Sequence, residues 1–241
     1  MGYLFGHPYY ERYGHRRETS TFILGTEHRQ IWLNSIRTLV LDGASARFPG
    51  SAGGGFLVIK EPHGSIGAPL LMEALPESRM VLLVRDPRDV VASSLHLSLS
   101  PARNAAAAEG RAERARRVKT DPDAFIAAQA RIYRQDIEHA GQAFDAHAGY
   151  RAMVRYEDLR ADTLGNMRRI CASLGTGVQE SDLARAVERY DWESIPDDQK
   201  GPGRMRRKAI PGAWRQDLRP EQAAIVEREA APVFARFYAE A

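Results

Sequence analysis

Hydrophobic positions along this 241-residue chain fall into two kinds of pattern: short continuous apolar runs and longer stripes at helical spacing. Residues 1–20 mix Gly, Pro, Tyr, His and Arg with neither period and read as an irregular arm. From Glu27 to Leu41, the apolar residues Ile31, Ile36, Leu39 and Val40 predict a helix that ends near Asp42-Gly43. Gly50 to Gly55 then reads as a connection. Phe56-Leu57-Val58-Ile59 and Met80-Val81-Leu82-Leu83-Val84 are apolar throughout, the pattern of strands buried on both faces. With the helix-sized segment Ile66 to Leu75 between them, they predict a β-α-β unit and parallel pairing.

After the second run, Asp86-Pro87-Arg88-Asp89 has the order of a helix start, with Asp86 as N-cap, Pro87 in the first helical position and Asp89 in the first turn. Ser100 to Thr120 is rich in Ala and Arg and short of large apolar residues, so it is expected to be a mobile, solvated excursion. Phe125, Ile132, Tyr133, Ile137 and Phe144 form a stripe that predicts a long helix from about Asp123 to Ala146. Met153 to Tyr156 is a third short strand. Leu164, Met167, Ile170, Cys171 and Leu174 predict a helix stopped by Gly175, and Leu183, Ala186, Val187 and Tyr190 predict another. Asp197 to Lys208 turns polar and basic, and Pro220 opens a last helix through Ile225, Val226, Val233 and Phe237. The alternation of strands and helices is that of an α/β protein, expected to be one domain over 1–241, with 1–55 an arm plus helix and 56–241 its body.

Composition narrows the function classes. Apolar residues at 44% and charged residues at 27% argue against wholesale disorder. Arginine greatly outnumbers lysine and supplies cations that never titrate, which suits phosphate ligands. No basic stripe with interleaved aromatics marks a nucleic-acid face. The single cysteine, Cys171, rules out an internal disulfide framework and a cysteine-based zinc site. No apolar run approaches the roughly 20 residues that cross a bilayer, and Met1 to His15 lacks the apolar stretch of a secretory signal. A cytoplasmic protein without a membrane span is expected.

The chemistry concentrates around Arg85. An arginine at the end of a strand, a helix start and the hydroxyl of Ser93 two turns in converge on a site for one phosphate. Guanidinium binds oxyanions through paired hydrogen bonds, and N–H groups of the helix start supply the rest.

Val84-Arg85-Asp86-Pro87-Arg88-Asp89-Val90-Val91-Ala92-Ser93 resembles the loop with which PAPS-dependent sulfotransferases hold the 3′-phosphate of the donor. The resemblance gives that role to Arg85 and to Ser93, eight residues later. Arg207-Lys208-Ala209-Ile210-Pro211-Gly212-Ala213-Trp214-Arg215 is similar to the closing R-K-G-x-x-G-x-W-K segment of the same family, with Ala209 in place of its first glycine. Arg207, Lys208 and Gly212 would there clamp the same phosphate, the glycine permitting close backbone approach. Val154-Arg155-Tyr156-Glu157-Asp158-Leu159 resembles the strand that ends in Y-E-D-L, which places Tyr156 near adenosine. Ile59-Lys60-Glu61-Pro62-His63 resembles the K-T-H region, with the histidine one position later and after a proline. Sulfuryl transfer needs a base and a cation, so His63 or Glu61 is the candidate base and Lys60 the candidate cation.

The family's first strand and 5′-phosphosulfate loop have no counterpart ahead of Phe56; the nearest imitation is Leu24-Gly25-Thr26-Glu27-His28-Arg29. The motifs therefore cover Phe56 to Ala241, and the chain is expected to be either a shortened version of a longer enzyme, the preferred reading, or a homologue without the catalytic machinery. The resemblance implies a parallel-sheet, P-loop-NTPase-like sulfotransferase fold lacking that first strand and loop. It implies transfer from PAPS to a hydroxyl or amine, with PAP as product, no metal, and a small-molecule, lipid or carbohydrate acceptor. The alternative is a non-catalytic PAP- or PAPS-binding or interaction module of the same ancestry.

Overall fold

A computed structural model describes residues 28–49, 56–60, 65–99, 109–201, 204 and 206–239. Its helices and strands run in the order α1 (Arg29–Arg47), α2 (Ala68–Ala74), β1 (Met80–Val84), α3 (Pro87–Leu99), α4 (Glu109–Thr120) and α5 (Pro122–Ala146). They continue with β2 (Arg151–Arg155), α6 (Tyr156–Ala161), α7 (Thr163–Leu174), α8 (Glu180–Arg189), α9 (Trp214–Asp217), α10 (Pro220–Glu229) and α11 (Ala231–Phe237). The described chain is mostly helical with a small parallel sheet of β1 and β2, an α/β arrangement. Compact packing divides it into two units: residues up to Met80 together with Glu138–Arg151, and Val81–Ile137 together with Ala152–Ala241.

In the first unit α1 lies against α2. Leu33 and Ile36 are buried against Ala74, with Val40, Leu70 and Leu71 around them. Arg29 pairs with Glu73 and Arg37 with Glu77 along the edge of that contact. Further on, a ring nitrogen of His147 donates to the Ser78 carbonyl at 2.9 Å, and the Met80 N–H donates to the Tyr150 carbonyl at 3.0 Å. Residues 56–60 form no strand, contrary to the expectation from their apolar run, and Val58 is 83% exposed. Such a run becomes a strand only where a neighbour offers a ladder. β1 pairs with β2 instead, and Phe56 lies under the Arg79 guanidinium, 4.4 Å from its ring centre.

In the second unit, the sequence Val-Val-Ala of α3 turns Val91 and Ala92 inward against Ile126 and Ala130 of α5 and Val226 of α10, with Leu218, Leu95, Trp214 and Ile225 closing the cluster. Complete burial of side chains of this size contributes about 1.5–3 kcal/mol each. A second cluster joins Ala152 and Val154 of β2 to Ile170 of α7. The α7 helix begins where the Asp162 carboxylate accepts the Gly165 N–H and ends at left-handed Gly175, φ 59°, as its sequence requires.

Three expectations change here. Residues 109–120 are the helix α4, packed on α3 with Ala115 and Val118 buried, where a solvated excursion was expected. Small side chains can line such a contact because helix packing needs only a narrow stripe. The strand predicted at Met153–Tyr156 runs from Arg151 to Arg155, and Tyr156 already opens α6. The last helix is two, α10 and α11, broken at Ala230 because Pro232 cannot donate to a continuing helix. The sheet is also covered on one face only among the described residues: Leu82, Val84, Ala152 and Val154 are buried, while Val81, Leu83 and Met153 are 45%, 49% and 48% exposed.

Candidate functional site

Parallel strands deliver their C-terminal ends to one edge of a sheet. Here β1 ends at Arg85-Asp86 and β2 at Tyr156-Glu157, and the four residues meet. The Arg85 guanidinium lies over the Tyr156 ring, 4.5 Å from its centre. The Tyr133 hydroxyl, reaching in from α5, accepts the Arg85 N–H at 2.9 Å and donates to the Arg85 carbonyl at 2.7 Å. Glu157 accepts the Asp86 N–H at 2.9 Å through one oxygen and the Tyr238 hydroxyl at 3.0 Å through the other. Burial pushes both tyrosine hydroxyls well above the usual phenol range, with the Glu157 carboxylate adding to the shift.

Asp86 caps α3 as its sequence predicts, accepting the Arg88 N–H at 2.8 Å and the Arg88 guanidinium at 2.7 Å. The N–H groups of Arg85, Asp86 and Arg88 are thus taken by protein side chains rather than left for an anion. What this turn offers an anion lies in the Arg85 side chain, whose Nε is buried with no hydrogen-bond partner. No carboxylate pairs with Arg85 among the described residues.

One turn into α3, the Asp89 carboxylate is 2% exposed and accepts two N–H groups from the far end of the chain, those of Gly212 at 2.7 Å and Trp214 at 2.9 Å. Residues 123 and 125 positions away are thereby fixed to the helix start. Gly212 takes φ 77°, a conformation that a Cβ disfavours. Ala209, which stands where the resembling motif has glycine, takes φ 50° and keeps the left-handed turn. The Arg160 guanidinium holds its carbonyl at 3.2 Å. The guanidinium groups of Arg88 and Arg215 both lie over the Trp214 ring, 4.2 and 4.5 Å from its centre.

Arg207 and Lys208 both turn to Asp217, Lys208 at 3.1 Å. The Arg207 hydrogen bond holds the Asp217 carboxyl below its ordinary value, with Lys208 helping. Both cations also act on His96 of α3, whose imidazole burial holds below its ordinary value, with Arg207 and then Lys208 lowering it further and Asp217 opposing. Asp89, Ser93 and His96 are spaced i, i+4, i+7 and share one face of α3. The basic loop is attached to that face where Asp89 binds Gly212 and Trp214, and half-buried Ser93 lies on the same face.

Of the residues singled out from sequence, Arg85 and Tyr156 meet at the strand ends, Gly212 is bound to Asp89 of α3, Arg207 and Lys208 pair with Asp217, and Ser93 lies half-buried on α3. Lys60 is exposed on the irregular 56–60 segment, while Glu61 and His63 lie outside the described residues. Tyr133, Asp89, His96, Glu157 and Asp217 complete the arrangement and were not singled out. Asp89 carried the one legible signal, an acidic residue in a first helical turn beside an arginine-rich motif. Among the described residues, no group of three or more His, Cys, Asp or Glu side chains is placed to hold a metal ion.

A family model described as the sulfotransferase family matches residues 5–180, well over half of the chain. The chain belongs to the sulfotransferase family. Comparison with curated proteins and with solved structures finds no match to either. The sulfotransferase match starts in the leading arm, upstream of the Phe56 start drawn from motifs alone, and includes Arg85, Ser93 and Tyr156. It ends ahead of Arg207 to Arg215, so the basic loop of this sulfotransferase is tied to the site by its Asp89 hydrogen bonds rather than by the match.

Proposed function

We propose that this sulfotransferase family member takes a sulfuryl group from PAPS, passes it to an acceptor hydroxyl or amine, and releases PAP, within a P-loop-NTPase-like body. The observation that carries the reading is Arg85: a guanidinium at a strand end, lying over the Tyr156 ring, with a buried Nε that no group among the described residues satisfies. A buried polar hydrogen left unpaired costs about 1–3 kcal/mol, and a phosphate oxygen is the strongest acceptor such a donor can take. Arg85 and Ser93 would hold the 3′-phosphate, Arg207 and Lys208 would add charge from the docked loop, and Tyr156 would border adenosine.

PAPS supplies the activated sulfuryl group. In the transfer the acceptor atom bonds to sulfur, the bond from sulfur to the 5′-phosphate oxygen breaks, and a base removes the acceptor's proton. His63 or Glu61 is proposed for that base and Lys60 for the cation that balances charge on the departing phosphate oxygen.

Calorimetry with PAP tests the donor site. The intact chain should bind PAP, and Arg85→Ala should weaken binding by about 100-fold, the loss expected for a charge-assisted pair; equal affinity in the variant overturns the Arg85 assignment. A turnover assay with PAPS over small-molecule, lipid and carbohydrate acceptors then separates an enzyme from a module: PAP binding without any sulfated product identifies a non-catalytic nucleotide-binding protein.

A further inference from the structure

Tyr133 both accepts from and donates to one residue. Its hydroxyl takes the N–H of Arg85 and gives its proton to the carbonyl of the same residue, 48 positions away. The next N–H, that of Asp86, is taken by Glu157, so the two peptide groups leaving β1 are held by side chains from α5 and α6. The Arg85 side chain, in contrast, is left with the Tyr156 ring beneath it and an unsatisfied Nε. A backbone pinned at both polar groups and a side chain stacked on an aromatic face leave the guanidinium few conformations. Preorganisation of this kind lowers the ordering cost of binding a ligand.

We infer that Tyr133 is a positioning residue for recognition of the nucleotide's 3′-phosphate, acting through the Arg85 backbone without touching the ligand. This rests on the donor reading given under Proposed function. The buried phenol stays protonated across the working pH range, which it must to donate and accept at once. Tyr238 supplies the internal contrast: its hydroxyl is half-buried in this network and donates to Glu157, and among the described residues it makes no hydrogen bond to Arg85.

The test compares affinities for PAP and for adenosine 5′-phosphate, which lacks the 3′-phosphate, in the intact chain and in Tyr133→Phe and Tyr238→Phe. Thermal unfolding is recorded for each. Tyr133→Phe should lose about 10-fold or more in PAP affinity, with adenosine 5′-phosphate affinity changed by no more than about 2-fold, so the ratio of the two collapses. Tyr238→Phe should lower the unfolding temperature and leave the ratio unchanged. An unchanged ratio in Tyr133→Phe, or an equal collapse in Tyr238→Phe, overturns the inference. Should Tyr133→Phe fail to fold, amide hydrogen exchange on the intact chain decides instead: PAP must protect the Arg85 amide more than adenosine 5′-phosphate does, and equal protection overturns it. Failure of the donor reading looks different, because the intact chain itself would then not prefer PAP.

Discussion

Ala209 holds φ 50° in a region where a Cβ crowds the backbone, at a cost of about 1–2 kcal/mol for an L-residue. The turn persists because the neighbouring groups fix it: the Arg160 guanidinium takes the Ala209 carbonyl, and two residues on from Ile210 the Gly212 N–H is bound to Asp89. Ala209→Gly relieves the crowding, offset in part by the greater freedom glycine gives the unfolded chain. The expected net gain is about 0.5 kcal/mol, read as a rise of about 1–2 °C in unfolding temperature; an unchanged or lower temperature contradicts the strain. Gly212 takes φ 77°, where any L side chain is strained, whereas the Arg215 guanidinium that a Cβ would meet at 2.7 Å is the end of an exposed, flexible side chain that can move aside. The motif's two glycine positions therefore keep the same backbone in this chain although only one keeps the residue.

Among the elements, α3 organises the site, and Asp89 is its attachment point. An aspartate accepts both N–H groups of the loop with its two oxygens, whereas the amide of Asn has a single acceptor and turns a donor toward the other N–H. Asp89→Asn should therefore destabilise by about 2–3 kcal/mol and release the 207–215 loop, seen as a lower unfolding midpoint and faster proteolysis within the loop; wild-type stability would show that the loop is held by other contacts. The helices were legible wherever an apolar stripe was long, as in α5 and α7, or a cap was explicit, as at Asp86-Pro87 and Gly175. α4 escaped notice because, among the described residues, its buried positions are one alanine and one valine, beside several arginines. The Phe56 run misled because continuous apolarity records only water avoidance, and pairing depends on what lies alongside. In the site, Arg85 and Ser93 share one local motif and could be read together. Tyr133, Glu157 and Asp217 could not, because what gives them meaning is contact across 48, 71 or 81 residues, or an ion pair within a loop of no periodicity.

For the molecule as a whole, arginine-to-carboxylate pairing recurs in both units. Hydrogen bonds from guanidinium groups hold Glu73 and Glu77 in one unit, and Glu180, Asp217 and Glu229 in the other, below their ordinary values. The unfolded chain takes up protons at those ordinary values, 4.5 for Glu and 3.8 for Asp, so on acidification it binds more protons than the folded chain. The stabilisation is complete above that range and disappears as pH falls through the lowered folded values. His96, also lowered, acts in the same direction from its ordinary 6.5 downward. Unfolding temperature should accordingly decline in two stages as pH drops, with His96→Gln flattening the first and Asp217→Asn reducing the second; a flat profile through the carboxylate range refutes the pairing. Exposed pairs contribute little each and are screened by salt, so added salt should shrink the second stage toward the share of the half-buried Asp217 pair. The Trp214 indole packs against two guanidinium groups with its N–H shut away from water. Its fluorescence is a gauge of whether the C-terminal loop is seated, and release of the loop, as expected for Asp89→Asn, would carry the emission to longer wavelength without any added dye.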